Sequence, residues 1–170
     1  GRLVRVLLAL DTPTPYGDDV SARGNAPRAF KPKTIERGLA ALHTLKARAA
    51  ALEPDAYAAV ATAAFRSADN AAAVIVRIHL EIGITVDVID QPTEARLGFV
   101  GAVRAAGVEP GLAVVWDVGG RSMQLTTLAA DGRFSIYRSD FASGQMRELV
   151  VHDIQRRPVD EHGPGASSPN

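Results

Sequence analysis

Val-Val-Trp-Asp-Val-Gly-Gly-Arg-Ser, residues 114 to 122, is an apolar run that ends in an aspartate and a glycine pair, and the alternating stretch Met123 to Leu128 follows it directly. The pattern predicts a strand, a tight turn and a returning strand. A glycine pair lets backbone N–H groups approach an anion without interference from Cβ, and an aspartate at a strand end can face a metal or its water shell. Phosphate is the natural ligand of such a turn. A plain hairpin closed by glycines has the same pattern, and this stretch alone does not separate the two.

Outward from the hairpin, helical and extended patterns alternate. Downstream, Asp131-Gly132 is a turn signal before an extended stretch, Phe134 to Arg138. Upstream, Pro92 opens a helix that ends near Gly107, and Ile84 to Ile89 alternates as a strand before it. A helix from Asn70 to Ile82 stops at Gly83, and Tyr57 to Ala63 is a short β-compatible run that delivers Thr62 and Arg66 into the turn between them. Pro32 suits the first turn of a helix whose apolar positions Ile35, Leu39, Leu42, Leu45 and Ala49 face a core. Thr12 to Ala29, with its prolines and glycines, reads as a surface loop, and Arg2 to Leu10 reads as a strand. The alternation predicts an α/β domain over residues 1–155, with helices packed on a mixed sheet. The Pro-, Gly- and Ser-rich tail, 156–170, is expected to be flexible.

Composition bounds the function without choosing it. The chain has 170 residues, enough for one ordinary domain with a sizeable core. Lys plus Arg and Asp plus Glu number 19 each, so no global field favours nucleic acid or an anionic membrane, and any anion site must be local. The absence of cysteine excludes disulfides, thiolate metal sites and cysteine nucleophiles. No apolar run approaches the ~20 residues that span a bilayer, and a cytoplasmic location is the expectation. The histidines, His43, His79, His152 and His162, show no metal-ligand spacing.

Two upstream segments join the glycine turn: Ala61 to Asn70 (ATAAFRSADN) and Val88 to Leu97 (VIDQPTEARL). In order and spacing, the three together resemble the exopolyphosphatase / guanosine pentaphosphate phosphohydrolase family, whose members carry A-T-S-A-x-R-x-A-x-N, S-G-x-E-E-A-R-L and D-I-G-G-G-S-x-E-L segments. Ser139 to Leu149 (SDFASGQMREL) is a looser fourth match. The resemblance implies an actin-like (ribonuclease H-like) domain. It also implies hydrolysis of terminal phosphoanhydride bonds of polyphosphate or guanosine pentaphosphate, with Mg2+ as the metal.

The resemblance implies these roles residue by residue. Glu94 matches the second glutamate of E-E-A-R, a catalytic carboxylate that activates or orients water; its plain alternative is favourable pairing with a helix N-terminus. Such a terminus weakens a base, so water positioning suits Glu94 better than strong proton abstraction. Arg66 matches the family arginine and would clamp phosphate through parallel N–H bonds. Asp117 would hold the cation through water, or else cap local N–H groups as a turn aspartate. Gly119, Gly120, Arg121 and Ser122 would form the phosphate turn. Asn70 is expected to cap the helix that follows it.

Departures from the family pattern shape the expectation equally. The family's opening D-x-G-(S/T)-x-S strand and loop have no counterpart in this chain, which begins at Gly1 and reads as a shortened representative lacking that phosphate loop and the second actin-like domain. Arg121 replaces the third glycine of the turn; if that position required φ > 0, an arginine there would carry about 1–3 kcal/mol of strain. Gln124 stands in the place of the glutamate of S-x-E-L and can orient water but not take a proton at neutral pH. Thr93 replaces the first glutamate of the pair, and Asp90-Gln91 replaces Ser-Gly. Two readings therefore stand: a phosphoanhydride hydrolase, weakened in this chain, and a non-catalytic polyphosphate- or alarmone-binding relative. Missing strands would leave apolar surface exposed, which makes a homodimer an expectation too.

Overall fold

The computed structural model of the protein describes residues 5–20 and 27–155. In chain order the elements are α1 (Tyr16–Asp19), α2 (Pro32–Ala50), β1 (Ala59–Ala61), α3 (Ala63–Ser67), α4 (Ala71–Ile82), β2 (Val86–Val88), α5 (Gln91–Ala106), a 3-10 turn (Pro110–Leu112), β3 (Val114–Val118), β4 (Met123–Leu128), β5 (Phe134–Ser139) and α6 (Ser143–Glu148), which runs on into a π-helical turn (Leu149–Ile154). Pro32 sits in the first turn of α2, where a missing N–H costs nothing. α4 and α5 each end on a left-handed glycine, Gly83 at φ 71° and Gly107 at φ 66°, which an L side chain would resist.

Pairing is parallel in one sheet and antiparallel in another. β1 and β2 pair in parallel, Ala59 opposite Val86, because α3 and α4 form the crossover that parallel strands need. β3, β4 and β5 form an antiparallel meander joined by tight turns. The α/β expectation holds, with the two kinds of pairing divided between two sheets rather than joined in one.

The first core gathers Val20, Phe30, Leu39, Val74, Ile78 and Ile82, where α2 and α4 cover the parallel pair. The rings of Tyr16, Phe30 and Phe65 close it as a triad with centroids 4.7 to 5.0 Å apart, each pair contributing about 0.5–1.5 kcal/mol beyond its buried area. The second core is one face of α5, with Ala95, Phe99 and Val103 laid on the meander and Phe99 meeting Phe134 edge to face at 5.5 Å.

Two expectations change here. Residues 5–10 form no strand: Val6, Leu7, Leu8 and Leu10 are exposed, and no described strand pairs with them, so the segment lacks the ladder that would hold it extended. The expected loop over 12–29 contains α1, which carries Tyr16 into the first core, with Val20 buried just after it. Prolines and glycines argued against a long helix there, but they do not oppose a single turn. Residues 1–4, 21–26 and the tail 156–170 lie outside the described residues.

Tyr16 carries a cost. Its hydroxyl is buried without a hydrogen-bond partner among the described residues and lies against Gly38, where a Cβ would come far too close to it. Burial pushes its pKa above the usual phenol value. Tyr16→Phe is therefore expected to stabilise the fold by about 1 kcal/mol in urea denaturation at pH 7, because it removes an unsatisfied group. A folded pKa above the unfolded one means that native stability falls as pH rises past about 10, and the substitution should flatten that alkaline slope.

Candidate functional site

The glycine turn is built by α6. Gly119 N–H donates to the Ser122 carbonyl at 2.9 Å, closing the turn between β3 and β4. The turn's own carbonyls are taken up from one side. Ser143 donates to Gly119 O from both its backbone N–H (3.2 Å) and its hydroxyl (2.7 Å), Gly144 N–H donates to Gly120 O at 2.9 Å, and Gln145 Nε2 donates to Arg121 O at 3.4 Å. The peptides are trans, so carbonyl and N–H point in opposite directions across each unit. Three carbonyls aimed at α6 thus direct the N–H groups of Gly120, Arg121 and Ser122 away from it, toward the side on which an anion would accept from them. Gly144 is a glycine because a Cβ there would stand near the Gly120 oxygen at 2.4 Å.

Arg121 does not bear the strain the sequence allowed for it. Among the described residues the positive-φ positions are Glu53, Gly83, Gly107 and Gly132, and none lies in this turn. Of the pair, Gly119 answers to close approach, since a Cβ there would stand 3.2 Å from the Ser122 carbonyl oxygen, whereas at Gly120 it would meet nothing within 4 Å.

The other side of the site comes from α3 and the start of α5. Arg66 Nη1 donates to Ile89 O at 2.8 Å and to Glu94 Oε2 at 2.8 Å, with the two side chains 24% and 17% exposed. One guanidinium so joins the end of β2 to the first turn of α5. Glu94 thus meets a cation as well as the N-terminal turn of its helix. Asp90 caps α5 by accepting from Thr93 N–H at 2.8 Å, and hydrogen bonding from Thr93, from its side chain first and then from this N–H, holds the carboxyl below the ordinary range.

α5 also brings the third component. Asp117 Oδ2 lies over Gly98, where a Cβ would be 3.1 Å away, and Gly98 is one helical turn beyond Glu94. Asp117 and Glu94 therefore share the face of α5 that meets the meander. Gln124 is the register partner of Asp117, 1% exposed, and its Nε2 donates to Ser122 Oγ at 3.3 Å. The Ser122 hydroxyl is thus turned inward, and that residue offers the turn its N–H.

Among the described residues no group of three or more His, Asp or Glu could cage a metal alone. A single carboxylate such as Asp117, half-buried on the face of the meander that meets α5, suits a magnesium ion that would take phosphate and water for its remaining ligands. Asn70, expected as a helix cap, makes no cap bond; its side chain instead accepts from Phe30 N at 2.9 Å and donates to Phe30 O at 3.0 Å, tying the chain before α2 to the start of α4.

Sequence reasoning assigned no role to several residues around this site, Gln145 and Asp140 among them. Ser143 and Gly144 lay inside a motif noted for its spacing but carried no assigned role, and only the close approach to the turn explains them. Arg28 and Gln91 line a cavity with Arg66 and Arg121. Arg28 is far from the motifs in sequence, and no local signal marks it.

The family model of the Ppx/GppA phosphatase family matches residues 18–139. Among solved structures, the chain is similar to the Aquifex aeolicus member of the Ppx/GppA protein family, at 22% identity and a TM-score of 0.60, over 72% of this chain and 39% of that one. It is similar to an exopolyphosphatase-like protein at 28% identity and a TM-score of 0.63, over 71% and 39%. It is also similar to an exopolyphosphatase from Cytophaga hutchinsonii at 24% identity and a TM-score of 0.66, over 78% and 43%. The chain thus spans about 40% of the length of these structures. No curated protein matches it.

Proposed function

The chain belongs to the Ppx/GppA phosphatase family, and from that membership we propose that it hydrolyses terminal phosphoanhydride bonds of inorganic polyphosphate or guanosine pentaphosphate. The observation that carries the reading is the Arg66–Glu94 pair at 2.8 Å, at one side of a site whose other side is a turn with its N–H groups directed outward. Phosphoryl transfer needs little covalent chemistry from a protein; it needs donors around the transferring group and a nucleophile held in line. The N–H groups of Gly120, Arg121 and Ser122 would hold phosphoryl oxygens, Arg66 would add a charge-assisted donor, and Glu94 would orient the attacking water. Water adds to the terminal phosphorus, the P–O bond to the next phosphoryl group breaks, and the shortened chain leaves with its oxygen negative. Magnesium, when bound at Asp117, supplies charge neutralisation for the phosphoryl oxygens.

Phosphate release from long-chain polyphosphate in the presence of magnesium tests the proposal, with polymer binding measured alongside. Binding without release would favour the second reading, a polyphosphate- or alarmone-binding module. That reading draws on Gln124, whose buried amide occupies the place of a family carboxylate. The proposed setting is cytoplasmic, with neither nucleic acid nor membrane as partner: the net charge is zero, and no helix among the described residues is long and apolar enough to cross a membrane. The proposal extends to a homodimer. The face of the meander turned away from α5 exposes Val114, Trp116, Leu125 and Tyr137, with Trp116, Leu125 and Tyr137 in register across the three strands.

A further inference from the structure

α6 opens without a cap of its own. Ala142 stands at its N-cap position and has no side-chain oxygen to accept from the first N–H groups of the helix. Those groups find acceptors elsewhere. Ser143 N–H and Gly144 N–H donate to the glycine turn, and Ala142 N–H donates to Gln145 Oε1 at 3.2 Å. The other end of the same amide, Nε2, donates to Arg121 O at 3.4 Å. We propose that Gln145 is a positioning residue of the glycine turn, whose amide ties the start of α6 to the Arg121–Ser122 peptide and so sets the Ser122 N–H donor; the proposal rests on the hydrolase reading and names a residue that tunes that same site.

The amide has one workable orientation. Turned over, it would set its NH2 against the Ala142 N–H and its oxygen against the Arg121 carbonyl, two repulsive pairs in place of two hydrogen bonds. Gln145 is the third residue of α6 and is half-buried, so the helix backbone fixes where this side chain begins, and its two bonds fix where it ends. Helix and turn therefore complete each other: the turn supplies acceptors that a capping side chain would otherwise supply, and the helix supplies donors that hold the turn.

The three turn carbonyls are not held alike. Gly119 O accepts from two Ser143 donors, at 3.2 and 2.7 Å, and Gly120 O accepts from the Gly144 N–H at 2.9 Å. The bond from α6 to Arg121 O is the longest of the set, and it comes from a side chain instead of the backbone. Backbone donors do not depend on side-chain chemistry, and loss of the Ser143 hydroxyl would leave the Ser143 N–H in place. Gln145 is thus where a change of chemistry, rather than of bulk, frees a turn carbonyl from α6. A trans peptide turns as a unit, so freeing Arg121 O also frees the direction of the Ser122 N–H. The Ser122 hydroxyl already accepts from the buried Gln124, and the N–H is what this residue turns toward the anion side.

Gln145→Met and Gln145→Glu test the role because their defects overlap at one point. Methionine has neither end of the amide, so α6 loses an acceptor along with the turn's donor. Glutamate keeps an acceptor for Ala142 N–H, brings a negative charge and lacks the donor to Arg121 O. Calorimetric titration of the full chain with inorganic tripolyphosphate, with a chelator present so that no turnover occurs, should show both variants weaker than the parent by about fivefold or more. For Gln145→Glu the loss should persist against the parent at about 1 M salt, where the Debye length is near 3 Å and the added charge is screened. Gln145→Glu should also unfold within about 2 °C of the parent, because its bond to Ala142 N–H remains, and this separates positioning from support of the fold. Parent-like affinity in Gln145→Met, or in Gln145→Glu at high salt, overturns the proposal. So does a loss of affinity in Gln145→Glu that comes with a lowered unfolding temperature, and so does a parent chain that binds no tripolyphosphate. Weakened binding in both variants, from a parent that releases no phosphate with magnesium, would keep the role of Gln145 and sink the hydrolase reading alone.

Discussion

Glu94→Gln lowers magnesium-dependent phosphate release from long-chain polyphosphate by about a hundredfold or more, while polymer binding stays within about threefold of the parent. The asymmetry follows from the geometry. Glu94 is a partly buried carboxylate whose Oε2 accepts from Arg66, and its remaining oxygen capacity is what positions a water molecule for attack. Glutamine has the same shape and can still accept from Arg66, but it carries no charge to polarise that water. Arg66 keeps its bond to Ile89 O in the variant, so the guanidinium stays in place and the donors that hold substrate remain. The change removes an interaction made in the transition state, which shows in kcat rather than in KM. Equal release from parent and Glu94→Gln would show that Glu94 does not orient the water.

Gly144→Ala is expected to damage both the fold and the glycine turn. A Cβ there would stand 2.4 Å from the Gly120 carbonyl oxygen, and that oxygen is the acceptor of Gly144's own N–H. Neither atom belongs to a flexible side chain, so the strain has to move α6 away from the turn. The expected cost is about 1–3 kcal/mol in denaturant unfolding, as for other overpacked sites. Phosphate release should fall at least about tenfold, because the carbonyls released from α6 no longer fix the N–H groups on the opposite side. Gly101→Ala is the control. It lies on α5 where an added Cβ meets nothing, and it should stabilise the helix by roughly 0.5–1 kcal/mol. Matching stability and release for Gly144→Ala and Gly101→Ala would refute the role given to α6.

What the sequence made legible was what local chemistry decides. Pro32, Gly83 and Gly107 mark helix ends because φ is limited at each, and the hairpin from Val114 to Leu128 follows from apolar alternation about a glycine pair. Family-level spacing of Arg66, Glu94 and Asp117 anticipated residues that the structure gathers around α5. The rest depended on partners far along the chain. Residues 5–10 have the composition of a strand, but composition cannot supply a neighbouring ladder. Asn70 has the chemistry of a cap, yet Phe30, forty positions away, competes for both ends of its amide and wins. Arg28 and Gln91 come to line one cavity only through the tertiary fold, and no period or motif in either stretch encodes that.

Trp116 is the chain's single tryptophan and is 67% exposed, at the β3 end of the apolar row across the meander. The protein therefore carries its own optical label for that face. An indole in water emits toward the red, and dehydration shifts it toward the blue, so intrinsic fluorescence reports whether anything covers the sheet. Emission that moves to the blue as concentration rises, together with a doubled mass in sedimentation, is the outcome expected of the homodimer. Red emission and a single-chain mass at every concentration would show that the face stays wet. Alternate residues of β3 point to opposite faces, so the indole and the neighbouring Asp117 carboxylate look in opposite directions. Self-association on one side of the meander can thus be followed by light while phosphate chemistry is measured on the other.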